Sequence, residues 1–297
     1  MSPDAGGARP PAVAGQFYRG DAADLASEIE GCFTSDRGPG ELPARHRSPK
    51  RRIRAAVVPH AGYRYSGPIA ARAFFEIAKE RPPESVLVLG VDHYGRGAGT
   101  ALSAREWRTP LGPARVDPEL LRALDHPPIV VDERSHRDEH SIEVEIPFLQ
   151  YVLPALSFVP LMVRFAPFED LARVAEVVRS AVRGRDVLLL ASTDFSHYLP
   201  ATEARRRDAR AISEIVARRA RGLYDTVQRW DISMCGIAPT TVLLEALRDE
   251  PLTVRDLGWG HSGEAEPMAE VVGYDALVLE SAEPLPPGRA RPDPSVA

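Results

Sequence analysis

Cysteine is scarce: the chain has two in 297 residues, Cys32 and Cys235. Two thiols cannot build a disulfide framework, so a chain of this length must rest on its buried apolar core. No apolar run approaches the roughly 18 residues needed to span a bilayer. The opening MSPDAGGARPP lacks the apolar stretch of a secretory signal. The expectation is a protein of the reducing cytoplasm, where a working cysteine stays a thiol or thiolate. Positive charge is not in excess either. With 37 Lys and Arg against 42 Asp and Glu the net charge is −5, which gives no general attraction to nucleic acid or to an anionic membrane. HExxH and paired CxxC, the short-range zinc signatures, are also missing.

What is present is an alternation of short apolar runs with helical patterns. Strands are predicted at 54–58, 85–89, 156–162, 186–191 and 275–279. Helices are predicted at 22–32, 68–79, 118–124, 143–152, 168–182, 201–219, 223–229 and 239–247. Several strands are apolar throughout, as strands covered by helices on both faces are. This predicts an α/β layered sandwich with a central, mostly parallel or mixed sheet flanked by helices. One domain is expected over residues 9–281, with disordered tails at 1–8 and 282–297 that are rich in Pro, Gly and Ala.

In such sheets ligands bind past the carboxyl ends of the strands. The residues there repeat one design: Pro59-His60-Ala61-Gly62-Tyr63, Gly90-Val91-Asp92-His93, and Ser192-Thr193-Asp194-Phe195-Ser196-His197. Any one histidine could be a hydrogen-bonded loop residue. Three of the chain's eight, all at strand ends, point to one shared cleft. Neutral imidazole is the commonest side-chain metal ligand, and Asp92 and Asp194 are placed to orient rings through the second nitrogen. Spacing does not say which histidine binds metal and which moves protons.

Two further stretches are polar where a core would be apolar. In His136-Arg137-Asp138-Glu139-His140-Ser141-Ile142-Glu143, the serine and glutamates fit a helix cap with an acidic first turn, which leaves the two histidines unexplained. They are read as supporting residues behind the ligands. Cys235-Gly236 precedes a helix, where the dipole and backbone donors favour a thiolate. Cys32, inside an amphipathic helix, reads as a small buried hydrophobe.

Together these stretches, with Ala14-Gly15-Gln16-Phe17-Tyr18, Ser66-Gly67, Trp107-Arg108-Thr109-Pro110-Leu111-Gly112 and Val272-Gly273-Tyr274, resemble the MEMO family, whose bacterial members are also called AmmeMemoRadiSam system protein B. The family is similar in fold to the class III extradiol dioxygenases. The resemblance implies His60, His93 and Cys235 as metal ligands, with ferrous iron favoured and copper or zinc allowed. It implies His197 as acid/base and Asp194 as a pocket carboxylate; beside them, Tyr63, His140 and Asp92 are read as groups that position a small substrate. It also implies AMMECR-like and radical-SAM proteins as partners.

The dioxygenases use two histidines and a carboxylate, whereas here the third position is a thiol. A softer donor makes cuprous copper and zinc competitive with iron. Four functions follow as expectations: an iron- or copper-dependent oxidoreductase acting on a small molecule, a non-catalytic scaffold that binds a peptide or partner, a zinc hydrolase, and a metal carrier.

Overall fold

The computed structural model describes residues 7–44 and 48–287. The tails expected at 1–8 and 282–297 lie largely outside these residues. Within them, Leu285 N–H still donates to the Arg51 carbonyl at 2.7 Å.

Eight α-helices are described: α1 (Ala22–Thr34), α2 (Tyr63–Ala78), α3 (Pro118–Leu124), α4 (Glu145–Val152), α5 (Phe168–Val182), α6 (Ala201–Val216), α7 (Ala220–Arg229) and α8 (Ile237–Ala246). The long strands are β1 (Ile53–Val58), β2 (Ser85–Val91), and, further on, β7 (Ser157–Val163) and β8 (Val187–Ser192). Between β2 and β7 come β3 (Ala101–Leu102), β4 (Trp107–Thr109), β5 (Gly112–Val116) and β6 (Val130–Val131). After β8 come β9 (Leu252–Asp256), β10 (Gly260–His261), β11 (Gly273–Tyr274) and β12 (Leu277–Ser281).

The main sheet runs β4-β5-β7-β2-β8-β1-β12-β9. Its centre, β5-β7-β2-β8-β1, is parallel, whereas at the flanks β12 pairs antiparallel with β1, β9 with β12, and β4 with β5. The sheet is therefore mixed. Along the central strands alternate side chains enter opposite cores, the period-2 geometry of a pleated strand. Ala55, Val57, Leu87, Leu89 and Leu189 pack with α3 and α5–α8, whereas Ala56, Val58, Val86, Val88 and Leu190 pack with α1, α2 and α4. Burial on both faces is why these strands read as unbroken apolar runs.

The register aligns the strand ends. Val58 of β1 sits opposite Ser192 of β8, and Leu89 of β2 opposite Ala191. The loops carrying His60, His93 and Asp194 therefore leave the sheet at one edge.

Helix α2 starts five residues earlier than predicted, because Pro68 marks no start but lies within the helix. A proline there leaves the carbonyl four residues back without its donor. That carbonyl, of Arg64, accepts instead from the Arg37 guanidinium at 3.0 Å, and the Tyr65 carbonyl accepts from the same group at 3.1 Å. The helix expected from Glu143 begins at Glu145. Ser141 is not its cap: its hydroxyl donates to the Val91 carbonyl and accepts from Val91 N–H, which ties the 139–144 turn to the end of β2.

Candidate metal and proton-transfer site

His60 follows β1 and is buried. Its N–H donates to Asp194 Oδ1 at 2.8 Å, Nδ1 lies 2.7 Å from Ser192 Oγ, and Nε2 lies 3.2 Å from Cys235 Sγ. Ser192 Oγ is also 2.7 Å from the Ser141 carbonyl and 2.8 Å from Glu145 Oε1. One hydroxyl proton thus faces three neighbours. The carbonyl can only accept, so it takes the serine proton, and His60 Nδ1–H and a protonated Glu145 donate to the oxygen. Burial holds Glu145 well above the usual carboxyl range, consistent with that proton. Burial, with three more histidines nearby, holds His60 well below its ordinary value. The ring is neutral, with the Nε2 lone pair turned toward the thiol.

His93 follows β2. Its Nδ1 and its backbone N–H both donate to Glu139, each at 2.9 Å. The same carboxylate accepts from the N–H groups of His140 and Ser141 at 2.8 and 3.0 Å. This concentration of donors outweighs burial and brings Glu139 down to about 2. His140 stacks on His93, ring centroids 4.8 Å apart, and burial lowers it to about 4. With Nδ1 of His93 committed, Nε2 is left free; it meets no protein partner among the described residues.

Cys235 precedes α8. Asp194 N–H donates to its sulfur at 3.1 Å, and Gly236 allows a close approach, since a Cβ there would meet Thr193 at 2.2 Å. Burial and the nearby Asp194 carboxylate push the thiol up, so in the free protein it keeps its proton. Asp194 is itself raised to about 6, chiefly by burial and against the pull of His197. His197 Nδ1 lies 2.8 Å from the Ser233 carbonyl, so that nitrogen carries the hydrogen and Nε2 is the basic one.

The ligand atoms of His60, His93 and Cys235 all lie within 4.8 Å of one another, and so do those of His93, Glu139 and His140. The first set offers two imidazole Nε2 atoms, that of His60 meeting only the Cys235 sulfur, and a thiol. In the second, Glu139 is already saturated with donors, which suits an orienting group better than a ligand.

Three expected residues are placed otherwise. Tyr63 is buried, packs on Phe148, and donates its hydroxyl to the Val144 carbonyl at 2.6 Å. As the first residue of α2 it faces the core below the cleft. The Asp92 carboxylate is held by Arg164 Nε at 2.7 Å and Gly95 N–H at 2.9 Å, and orients no histidine; Glu139 does that for His93. His136 is buried with Nε2 3.0 Å from the Ala101 carbonyl and its ring edge-on to Trp107, so it does not support the cluster.

Glu143, read as part of an acidic first turn, is a buried anchor. It accepts from Arg9, from Ala12 and Val13 N–H, and from the Tyr18 hydroxyl. This pins the segment that sets Phe17 against His140, centroids 4.8 Å apart, as a wall of the site. Glu139, Ser192 and Glu145 are the supporting residues not assigned from sequence. A polar Ser192 closing an otherwise apolar strand was the available signal for one of them.

Fold and site together define an α/β protein with imidazole and thiol donors gathered at one sheet edge. The chain belongs to the family described as Memo-like protein, whose model matches residues 9–278. It is 40% identical over 276 residues to a MEMO1 family protein of Methanothermobacter thermautotrophicus, covering 91% of this chain and 99% of the relative. A MEMO1 family protein of Methanopyrus kandleri is 38% identical over 279 residues, covering 91% and 98%. Among solved structures, an uncharacterized protein from Escherichia coli K12 aligns with a TM-score of 0.49 at 16% identity, over 76% of this chain and 100% of that one. No helix among the described residues is long and apolar enough to cross a membrane.

Proposed function

We propose that the protein is a metal-dependent oxidoreductase in which His60, His93 and Cys235 hold ferrous iron, or copper, and a small molecule is the substrate. The observation that carries this reading is the convergence of three donor atoms within 4.8 Å, with both imidazoles anchored through Nδ1. Two nitrogens and a thiol suit iron, copper or zinc better than hard cations. Such a metal, when bound, would supply an open position for activating oxygen or peroxide.

The remaining chemistry belongs to the chain. Asp194, raised to about 6, is suited to holding or moving a proton near neutral pH, and His197, its Nδ1 on the Ser233 carbonyl, presents Nε2 as its acid/base atom. Glu139 and Ser192 fix the two ligand rings. His140 and Phe17 close one side against water. Use of a thiol ligand fits the expected reducing cytoplasm, and the AMMECR-like and radical-SAM partners belong to the same reading.

The test is anaerobic purification with metal analysis of the wild type beside His60→Ala, His93→Ala and Cys235→Ser. About one metal per chain is expected in the wild type, lost in each variant. Stoichiometric metal in all three variants would overturn the assignment. Oxygen uptake after ferrous reconstitution, across catechols and related phenols, tests turnover. Uptake that depends on substrate and vanishes in His60→Ala supports it; no uptake removes the oxidoreductase part and leaves a metal-binding protein.

A further inference from the structure

Three non-glycine residues among those described have a left-handed backbone: Tyr198 (φ 56°), Arg218 (φ 57°) and Asp231 (φ 48°). Two of them flank the hydrogen bonds that hold His197. Its backbone N–H donates to Ser233 Oγ at 2.7 Å, and its Nδ1 lies 2.8 Å from the Ser233 carbonyl. Tyr198 is the next residue after His197, and Asp231 lies two before Ser233.

On its other side the segment 195–199 runs antiparallel to 271–273. Phe195 N–H donates to the Gly273 carbonyl at 2.9 Å, Gly273 N–H to the Ser196 carbonyl at 2.8 Å, and Val271 N–H to the Leu199 carbonyl at 2.8 Å. His197 and Tyr198 are left opposite Val272 alone, whose N–H donates to the Ser262 hydroxyl at 2.9 Å instead. Two residues against one make a bulge, a device that re-aims a side chain beside a site. The left-handed turn at Tyr198 completes it.

Glycine takes that conformation without strain, whereas a bulky aromatic does not. Burial does not offset the strain here, because Tyr198 is 74% exposed. Its ring lies beside that of His197, centroids 6.0 Å apart and planes tilted by 59°. A strained, uncovered aromatic next to the proposed acid/base histidine points to a role in function, since it contributes nothing to the core.

We propose, on the metal-centred reading above, that Tyr198 is a specificity-determining residue of the site. Its ring forms the outer wall of the cleft on the His197 side, as Phe17 does on the His140 side, and stacks on a planar ring of the substrate. An aromatic face rewards a flat, unsaturated body over a flexible aliphatic one.

Calorimetric titration of the iron-loaded full chain with catechol, under argon and with metal analysis of every sample, tests the proposal. Saturable binding of one catechol per chain is expected in the wild type. Tyr198→Phe keeps the ring and should bind within about twofold of it. Tyr198→Ala should bind roughly tenfold more weakly, with metal content and the melting temperature of the metal-free protein unchanged. Tyr198→Gly should lose the same affinity and melt above Tyr198→Ala, because glycine relieves the left-handed backbone. Unchanged affinity in Tyr198→Ala at full metal content overturns the proposal and leaves the metal site standing. So does a wild type that holds iron and does not bind catechol. A lowered melting temperature in Tyr198→Ala overturns it as well, by showing that the ring serves packing. A wild type that holds no metal overturns the metal reading, and this proposal with it.

Discussion

Glu139 and Glu145 lie six residues apart, are equally buried, and stand behind the two candidate ligand histidines, yet they titrate in opposite directions. Glu139 holds His93 directly and comes down to about 2; Glu145 reaches His60 only through Ser192 and is pushed up. Burial raises both. The difference is the number of donors: one side-chain N–H and three backbone N–H groups converge on Glu139 within 3.0 Å, against a single hydroxyl neighbour at Glu145. One site therefore keeps a charge that fixes a ring, and the other keeps a proton.

The largest effect is expected from removing the charged member. Glu139→Ala strands the backbone donors of a buried turn together with the His93 N–H. It should cost about 3 kcal/mol or more in urea unfolding and weaken metal affinity roughly 10- to 100-fold. Glu139→Gln isolates the charge. A carboxyl brought from 4.5 to about 2 on folding contributes about 3 kcal/mol. Because the folded value is the lower one, this stability is present above about pH 4.5 and is lost as pH falls toward 2. The gap between wild type and Glu139→Gln in the metal-free protein should accordingly close over that window. A gap independent of pH would mean that the charge is not what stabilises the turn.

Next in size is Ser192→Ala, which removes the hydroxyl that connects the two halves of the comparison. His60 Nδ1 and Glu145 lose a shared partner, at a cost of about 1–3 kcal/mol. Metal retention should fall, because the His60 ring is no longer held in one tautomer. Dialysis against a chelator, followed by metal analysis, measures it. Wild-type retention would show that Cys235 and the His60 backbone alone position the ring.

Much of this arrangement was legible in the sequence, and what was not follows one pattern. Strand ends were readable because doubly buried strands are continuous apolar runs, and the first polar residues beyond them, at His60, His93 and Asp194, fall at one edge. The position of Cys235 before a helix was readable for the same local reason. Roles set by distant partners were not. Glu139 serves a histidine 46 residues earlier, and Glu143 looked like a helix-start acid until Arg9 and the 12–18 segment closed over it. Tyr63 was expected at the substrate, but it faces the core as the first residue of α2, a start that leaves Pro68 inside the helix and is made tolerable by Arg37, 27 residues earlier in the chain than Arg64.

The smallest expected effect is the most discriminating. Glu145→Gln replaces a protonated carboxyl with a group of nearly the same shape that can still donate to Ser192. Its stability should stay within about 1 kcal/mol of wild type near pH 4.5, since both side chains are then neutral in the folded state. The sign of its pH dependence should be opposite to that of Glu139→Gln. Glu145 has a raised folded value, so the folded protein holds a proton that the unfolded chain releases above about 4.5. Wild-type stability therefore declines as pH rises beyond that point, until the folded value is reached. Glutamine has no proton to lose, and Glu145→Gln should gain on the wild type from pH 5 to pH 8. If the variant instead loses ground as pH rises, Glu145 is ionised behind His60, and donor number no longer explains why these two carboxyls differ.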